Sequence, residues 1–179
     1  GILCGAGSAV DFAKVDIDGC DCQLAAALLR AVRPLILWIE INMSFPPPLR
    51  MSRPCHRDWL PSWRKWLAGG VSISTFGCSL SAAVDTFGAL SYSLYGIVDS
   101  HDAIFVHDSV AELLGGAGED EFQCYRDVHR GTQIHLPEPY IDEWMTLAPE
   151  ELLDRAWCNL TLHAHILGIS HLPLHVSIA

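Results

Sequence analysis

Three aspartates, at positions 16, 18 and 21, crowd the stretch Asp11-Phe-Ala-Lys-Val-Asp-Ile-Asp-Gly-Cys-Asp21. Close carboxylates can orient or deprotonate a substrate hydroxyl, or offer oxygen ligands to a hard cation. The same residues also suit a solvated turn that caps a helix. A second polar pair, Glu40 and Asn42, sits in Ile39-Glu40-Ile41-Asn42. Asp16 and Asp18 are the candidate catalytic residues. Gly19, Asp21, Glu40 and Asn42 are the candidate lining of a substrate or cofactor edge. Three nearby carboxylates do not by themselves define a metal centre, so no metal ligand is assigned.

These residues need elements to hold them. Phe12–Ile17 is an apolar run that reads as a strand, and Asp18-Gly19 reads as a turn. From Asp21 the pattern becomes helical. Leu24, Ala27, Leu28 and Ala31 fall on one apolar face, Asp21 suits the N-cap, and Arg30 and Arg33 suit the C-terminal end. Pro34 ends the helix. Leu35–Ile41 is nearly all apolar, as strands buried on both faces are. Strand, helix and strand form a βαβ unit, whose crossover is expected to be right-handed. Parallel neighbours share a carboxyl edge, so Asp16, Asp18, Glu40 and Asn42 are expected to line one crevice. Glu40 stands out, because a carboxylate near the end of a buried strand is costly unless paired or in a cleft.

The rest of the chain sets bounds. Its 179 residues, half of them apolar, suffice for about one domain. A net charge of −10 argues against a general nucleic-acid surface, and no apolar run is long enough to span a membrane. The chain does not begin with Met and starts within an apparent domain, so it reads as a fragment. The seven cysteines show no Cys-x-x-Cys spacing and read as reduced thiols, which favours a cytoplasmic location. Asn42-Met-Ser44 and Asn159-Leu-Thr161 match the glycosylation sequon, which matters only for a secreted protein. Gly5-Ala-Gly7-Ser8 lacks the preceding strand that a dinucleotide loop needs.

Beyond Phe45-Pro-Pro-Pro48, residues 50–76 read as a long irregular connection. It holds Arg50, Arg53, Arg57, Arg64 and Lys65, interleaved with Trp59, Trp63 and Trp66. Such a segment suits a lid over an anionic or planar substrate, or a cover for a sheet edge. Ser79 suits the cap of a helix burying Leu80, Ala83, Val84 and Phe87, with Gly77 allowing close backbone approach. Tyr92–Val98 and Ala103–His107 read as an antiparallel hairpin. Gly115–Gly118 and the acids after it read as a flexible linker, placing a boundary between a domain over 1–114 and an extension over 115–179. A last helix begins at Pro149 and carries Leu153, Ala156, Trp157, Leu160, Ala164 and Leu167 at helical spacing. His163, His165, His171 and His175 fit no zinc spacing.

Lys14-Val-Asp16-Ile-Asp18-Gly19-Cys-Asp21, Arg33-Pro34 and Ile39-Glu40-Ile-Asn42 together resemble the FkbM-type branch of the S-adenosylmethionine-dependent methyltransferases. More closely, they are similar to methyltransferase-like proteins with an Ile-Asp-Ile-Asp-Gly-Asn-Asp type motif, in which Cys20 takes the Asn position. Gly77-Cys-Ser79-Leu80, Tyr92–Gly96 and Ile104-Phe-Val106 extend the resemblance to about residue 109. It implies an α/β, Rossmann-like sheet of which this chain supplies the later strands, ending in an antiparallel pair, followed by a mainly helical extension. It implies S-adenosylmethionine as cofactor and a small-molecule or unknown substrate. The family's glycine-rich cofactor loop and its ribose-binding acid are absent from this chain, so the chain alone is expected to be inactive. An edge left open by absent strands is expected to favour self-association. Two other readings stand beside this one. One is a degenerate, non-catalytic binding module on the same fold. The other is a haloacid-dehalogenase-like phosphatase, with Asp16 as nucleophile and Asp18 as acid/base.

Overall fold

The computed structural model describes residues 10–55, 76–116, 118–132, 143–167 and 175–178. The expected βαβ unit is present: β1 (Phe12–Val15), α1 (Asp21–Ala31) and β2 (Ile36–Glu40). β1 and β2 are adjacent and parallel, in register from Phe12 opposite Ile36 to Val15 opposite Ile39. A short β3 (Leu49–Ser52) follows, so the connection read as irregular begins with a strand. The lid residues Arg57, Trp59, Trp63, Arg64, Lys65 and Trp66 lie outside the described residues.

Helix α2 (Leu80–Gly88) starts at Ser79, whose hydroxyl accepts from the Ala82 amide at 3.3 Å. Leu80, Ala83 and Phe87 are buried as expected, and Val84 partly so. β4 (Tyr92–Val98) and β5 (Asp102–His107) form the expected hairpin. β5 inserts antiparallel beside β2, giving the sheet order β1-β2-β5-β4. The fold is therefore mixed α/β around a four-stranded mixed sheet. Its inner face carries Val15, Leu37, Ile39, Ala103, Phe105 and Leu94 in one core with α1 and α2.

Two helical faces differ from their expected ones. In α1 the buried residues are Cys22, Ala25, Ala26 and Leu29, whereas Leu24, Ala27 and Ala31 are exposed. The helix is apolar almost all round, so two faces satisfy the same spacing. What decides between them is tertiary: Cys22 is joined to Cys78. In the last helix, α5 (Pro149–Leu167), Leu152, Ala156 and Leu160 are buried and Trp157 is 40 % exposed. The side chains of Asn159, Ala164, Leu167, His163 and His165, and all of His171, lie outside the described residues.

The extension shares the core of the first part. After α3 (Asp108–Ala111) and one 3-10 turn, the glycine stretch is tied down: the Gly118 and Glu119 amides both donate to the Leu94 carbonyl, at 2.8 and 3.0 Å. From α4 (Glu121–Thr132), Tyr125 is fully buried and donates its hydroxyl to the Met43 carbonyl at 2.5 Å. Trp144 packs edge-on against Tyr125, and β6 (His175–Ile178) pairs antiparallel with β3. No helix among the described residues is long and apolar enough to cross a membrane.

The expectation of reduced thiols is overturned. Cys20–Cys55 and Cys22–Cys78 are disulfides, and Cys124 and Cys158 are free. Spacing alone conceals them, because each joins residues 35 or 56 positions apart. Disulfides of this kind belong to oxidising compartments, which speaks against the cytosol. Of the two sequons, Asn42 is only 1 % exposed with its amide hydrogen-bonded, which leaves no room for a glycan there. Loops of this length favour the folded chain by about 4 kcal/mol each in the chain-entropy model. Replacing Cys22 and Cys78 together by Ala should lower stability by roughly 2–4 kcal/mol in urea unfolding, without loss of the sheet. An unchanged midpoint would mean that the Cys22–Cys78 bond does not form in solution.

Candidate functional site

The turn after β1 is built around Asp21. It does not cap α1 as expected. Cys20 holds the N-cap position, without a side-chain cap bond, and Asp21 opens the first turn. The Asp21 carboxylate faces back instead. Its two oxygens accept from the Ile17 amide at 2.8 Å and the Gly19 amide at 2.9 Å. The residue is fully buried. The folded-over turn puts Asp18 at φ 52, a left-handed conformation that Asp tolerates better than most residues. Gly19 then accepts from the Gly77 amide at 2.6 Å, with Gly77 itself left-handed at φ 61. Arg53, 7 % exposed, is held near Asp21. Burial lowers its guanidinium to about 10, and the Asp21 charge opposes that fall.

This geometry sorts the sequence candidates. Gly19, Asp21 and Asn42 are taken up inside the chain. The Asn42 amide donates to the Phe76 carbonyl and its oxygen accepts from the Ser44 amide. Their hydrogen bonds among the described residues all run to the chain itself, so they shape the edge. Asp16, Asp18 and Glu40 do converge: one carboxylate oxygen from each lies within 4.8 Å of the others. Asp16 and Asp18 are exposed, whereas Glu40 is only 9 % exposed.

Two residues without a predicted role complete the site. Lys14 reaches Asp16 at 3.1 Å and Asp102 at 3.6 Å, and its ammonium lies 5.4 Å from the centre of the Trp38 ring. Asp102 stands directly across from Glu40 in the sheet and is buried. Strand periodicity carried a signal for both. Lys14 is two residues before Asp16, and Asp102 closes the hairpin turn beside β2. Five carboxyl groups thus surround two cationic side chains. Burial, and then the charges of Asp18, Asp21, Asp16 and Asp102, push the Glu40 carboxyl up from its usual 4.5 to about 8. Asp18 is raised too, by burial first and by Asp16 and Asp21 after it. A carboxyl that still holds its proton near neutral pH can donate it to a neighbouring group.

Comparison with protein-family models, with curated proteins and with solved structures finds no match for this chain.

Two outcomes follow from the geometry. Asp21→Ala leaves two part-buried amides without their acceptor and should cost about 2 kcal/mol in urea unfolding. Asp108→Asn, at the far end of β5, should cost little. The second concerns pH. In the unfolded chain Glu40 loses its proton near 4.5, and in the folded chain near 8. Between these values the folded state holds the extra proton, so stability must fall as pH rises through that window and level off above it. With a chelator present, unfolding at about pH 5 and about pH 8 should show this loss, and Glu40→Gln should remove most of it. A slope untouched by Glu40→Gln would place its origin in another group.

Proposed function

We propose that this chain is the later part of an S-adenosylmethionine-dependent methyltransferase domain, with its acceptor side at the carboxyl edge of β1 and β2. The observation that carries the reading is the convergence of Asp16, Asp18 and Glu40 at that edge. The parallel β1/β2 pair, followed by a hairpin whose β5 runs antiparallel beside β2, supports it. That arrangement agrees with what the resemblance implies for the later strands. Fold alone does not assign activity, so the reading rests on the site.

The residues present do not fit the whole cofactor. No glycine-rich loop follows a described strand, Asp16 is paired with Lys14, and Asp21 is taken up by backbone amides. No step is therefore routed through the cofactor. What this chain supplies is an acceptor side: Asp16 and Asp18, exposed, to orient a hydroxyl, and Glu40, beside them, to take up or return a proton. Lys14, in β1, steadies Asp16 just past the strand's end. The non-catalytic binding module remains the second reading, favoured by the incomplete cofactor fit.

The open flank of the sheet bears on the same proposal. β1 has β2 on one side and no strand on the other among the described residues. Phe12 (51 % exposed), Ile17 (48 %) and Leu24 (43 %) are apolar residues on or next to β1 and α1. Added strands would use that edge, and without them copies of the chain should associate through it. Sedimentation should show concentration-dependent association that Phe12→Glu weakens. The test of function needs the protein that carries the whole domain. There Asp16→Asn should abolish methyl transfer with the fold intact by circular dichroism, and Asp108→Asn should leave transfer near normal. Full transfer by Asp16→Asn would remove the acceptor site. Calorimetric binding of S-adenosylmethionine without any transfer would favour the binding module.

A further inference from the structure

The carboxyl edge holds more negative charge than the cations among the described residues answer. Asp16 and Asp18 alone would be a solvated acidic pair. Glu40 differs in kind. The residue is only 9 % exposed, its Oε2 is buried with no hydrogen-bond partner, and a carboxylate oxygen lies within 4.8 Å of one from each of the two aspartates. Its cross-strand neighbour Asp102, 5 % exposed, likewise carries an unpartnered Oδ1. Lys14 answers Asp16 and Asp102, and Arg53 stands near Asp21. No ion pair reaches Glu40 or Asp18 among the described residues. A buried carboxylate left unpartnered among like charges is costly, and a bound cation removes that cost.

We propose that Asp16, Asp18 and Glu40 bind one hard divalent cation, calcium or magnesium, at the carboxyl edge of β1 and β2. The ligand set is all oxygen, as hard cations prefer. The nearby sulfurs of Cys20 and Cys22 are tied in disulfides, so no thiolate is at hand to select a soft metal. Three protein ligands leave coordination positions open to water or to a substrate oxygen. Asp21, with both oxygens on backbone amides, holds the turn that presents Asp18. The proposal stands on this geometry and does not depend on methyl transfer.

The test is calorimetric titration of calcium chloride and, separately, magnesium chloride into the oxidised chain after removal of divalent ions, with the melting temperature followed in each salt. One saturable site is expected, with a dissociation constant at or below about 1 mM. The melting temperature should rise with cation concentration. Loss even of an outer-shell partner weakens metal sites about 10–100-fold, so Glu40→Gln and Asp18→Asn should each weaken binding by at least about tenfold. Asp108→Asn should bind as the parent does. The salt with the tighter constant identifies the ion. Asp18 is exposed, so Asp18→Asn keeps the test decisive if Glu40→Gln does not fold. Absence of saturable binding of either ion up to about 10 mM, ten times that constant, overturns the proposal. So does unchanged affinity in Asp18→Asn.

Discussion

One buried carboxylate holds the acidic edge in shape. Asp21 has no access to water, and a charge so placed survives only where donors surround it. The donors are the amides of Ile17 and Gly19, two groups that a turn between strand and helix would otherwise leave open. The buried carboxylate and the two part-buried amides satisfy one another. The exchange bends the chain back on itself just after β1. That bend forces Asp18 into the left-handed region and carries its side chain toward Asp16 and Glu40. The geometry of the edge is thus set by a residue that does not itself face it.

The same turn is gripped from a second side. Gly19 accepts the Gly77 amide, and the cysteines on either side of Asp21 are bonded to Cys55 and Cys78. Gly77, Cys78 and Ser79 lie just before α2, and the Asn42 backbone N–H donates to the Cys78 carbonyl at 2.7 Å. Backbone bonds, disulfides and the Asp21 charge therefore tie β1, β2 and the approach to α2 into one unit. Order at this edge costs conformational entropy, and crosslinks reduce that cost by restricting the unfolded chain.

Much of this was legible in the residues, for physical reasons that differ by element. The parallel pair and the hairpin stood out because buried strands are continuous in apolar character and turns break them sharply, as Asp18-Gly19 and Asp99-Ser-His-Asp102 do. Ser79 was readable as a cap because its hydroxyl acts locally. The buried face of α1 was not readable. Cys22, Ala25, Ala26 and Leu29 have the same spacing as Leu24, Ala27, Leu28 and Ala31, and only a contact distant in sequence chooses between them. The disulfides and the docking of Tyr125 against Met43 escaped for the same reason. Of the candidate site, the convergence of Asp16, Asp18 and Glu40 followed from parallel topology. The inward turn of Asp21 and Asn42 did not, since side chains of these types serve turns and ligands equally well.

Glu40 is where stability and use pull apart. A residue chosen for packing at the end of β2 would be apolar, since Ile39 and Ile41 on either side are fully buried. Gln in its place would keep the shape and shed the charge. A carboxyl instead meets four other acids, with Lys14 on Asp16 and Asp102, and Arg53 near Asp21, so its charge is penalised once it ionises. Asp102 repeats the pattern one strand away, buried with an oxygen unmatched. Two such residues, side by side in the sheet and facing one edge, are a local departure from what folding alone favours. Departures of this kind concentrate where a protein meets a ligand. The strength of the surrounding Asp21 turn and its disulfides is what lets the fold carry them.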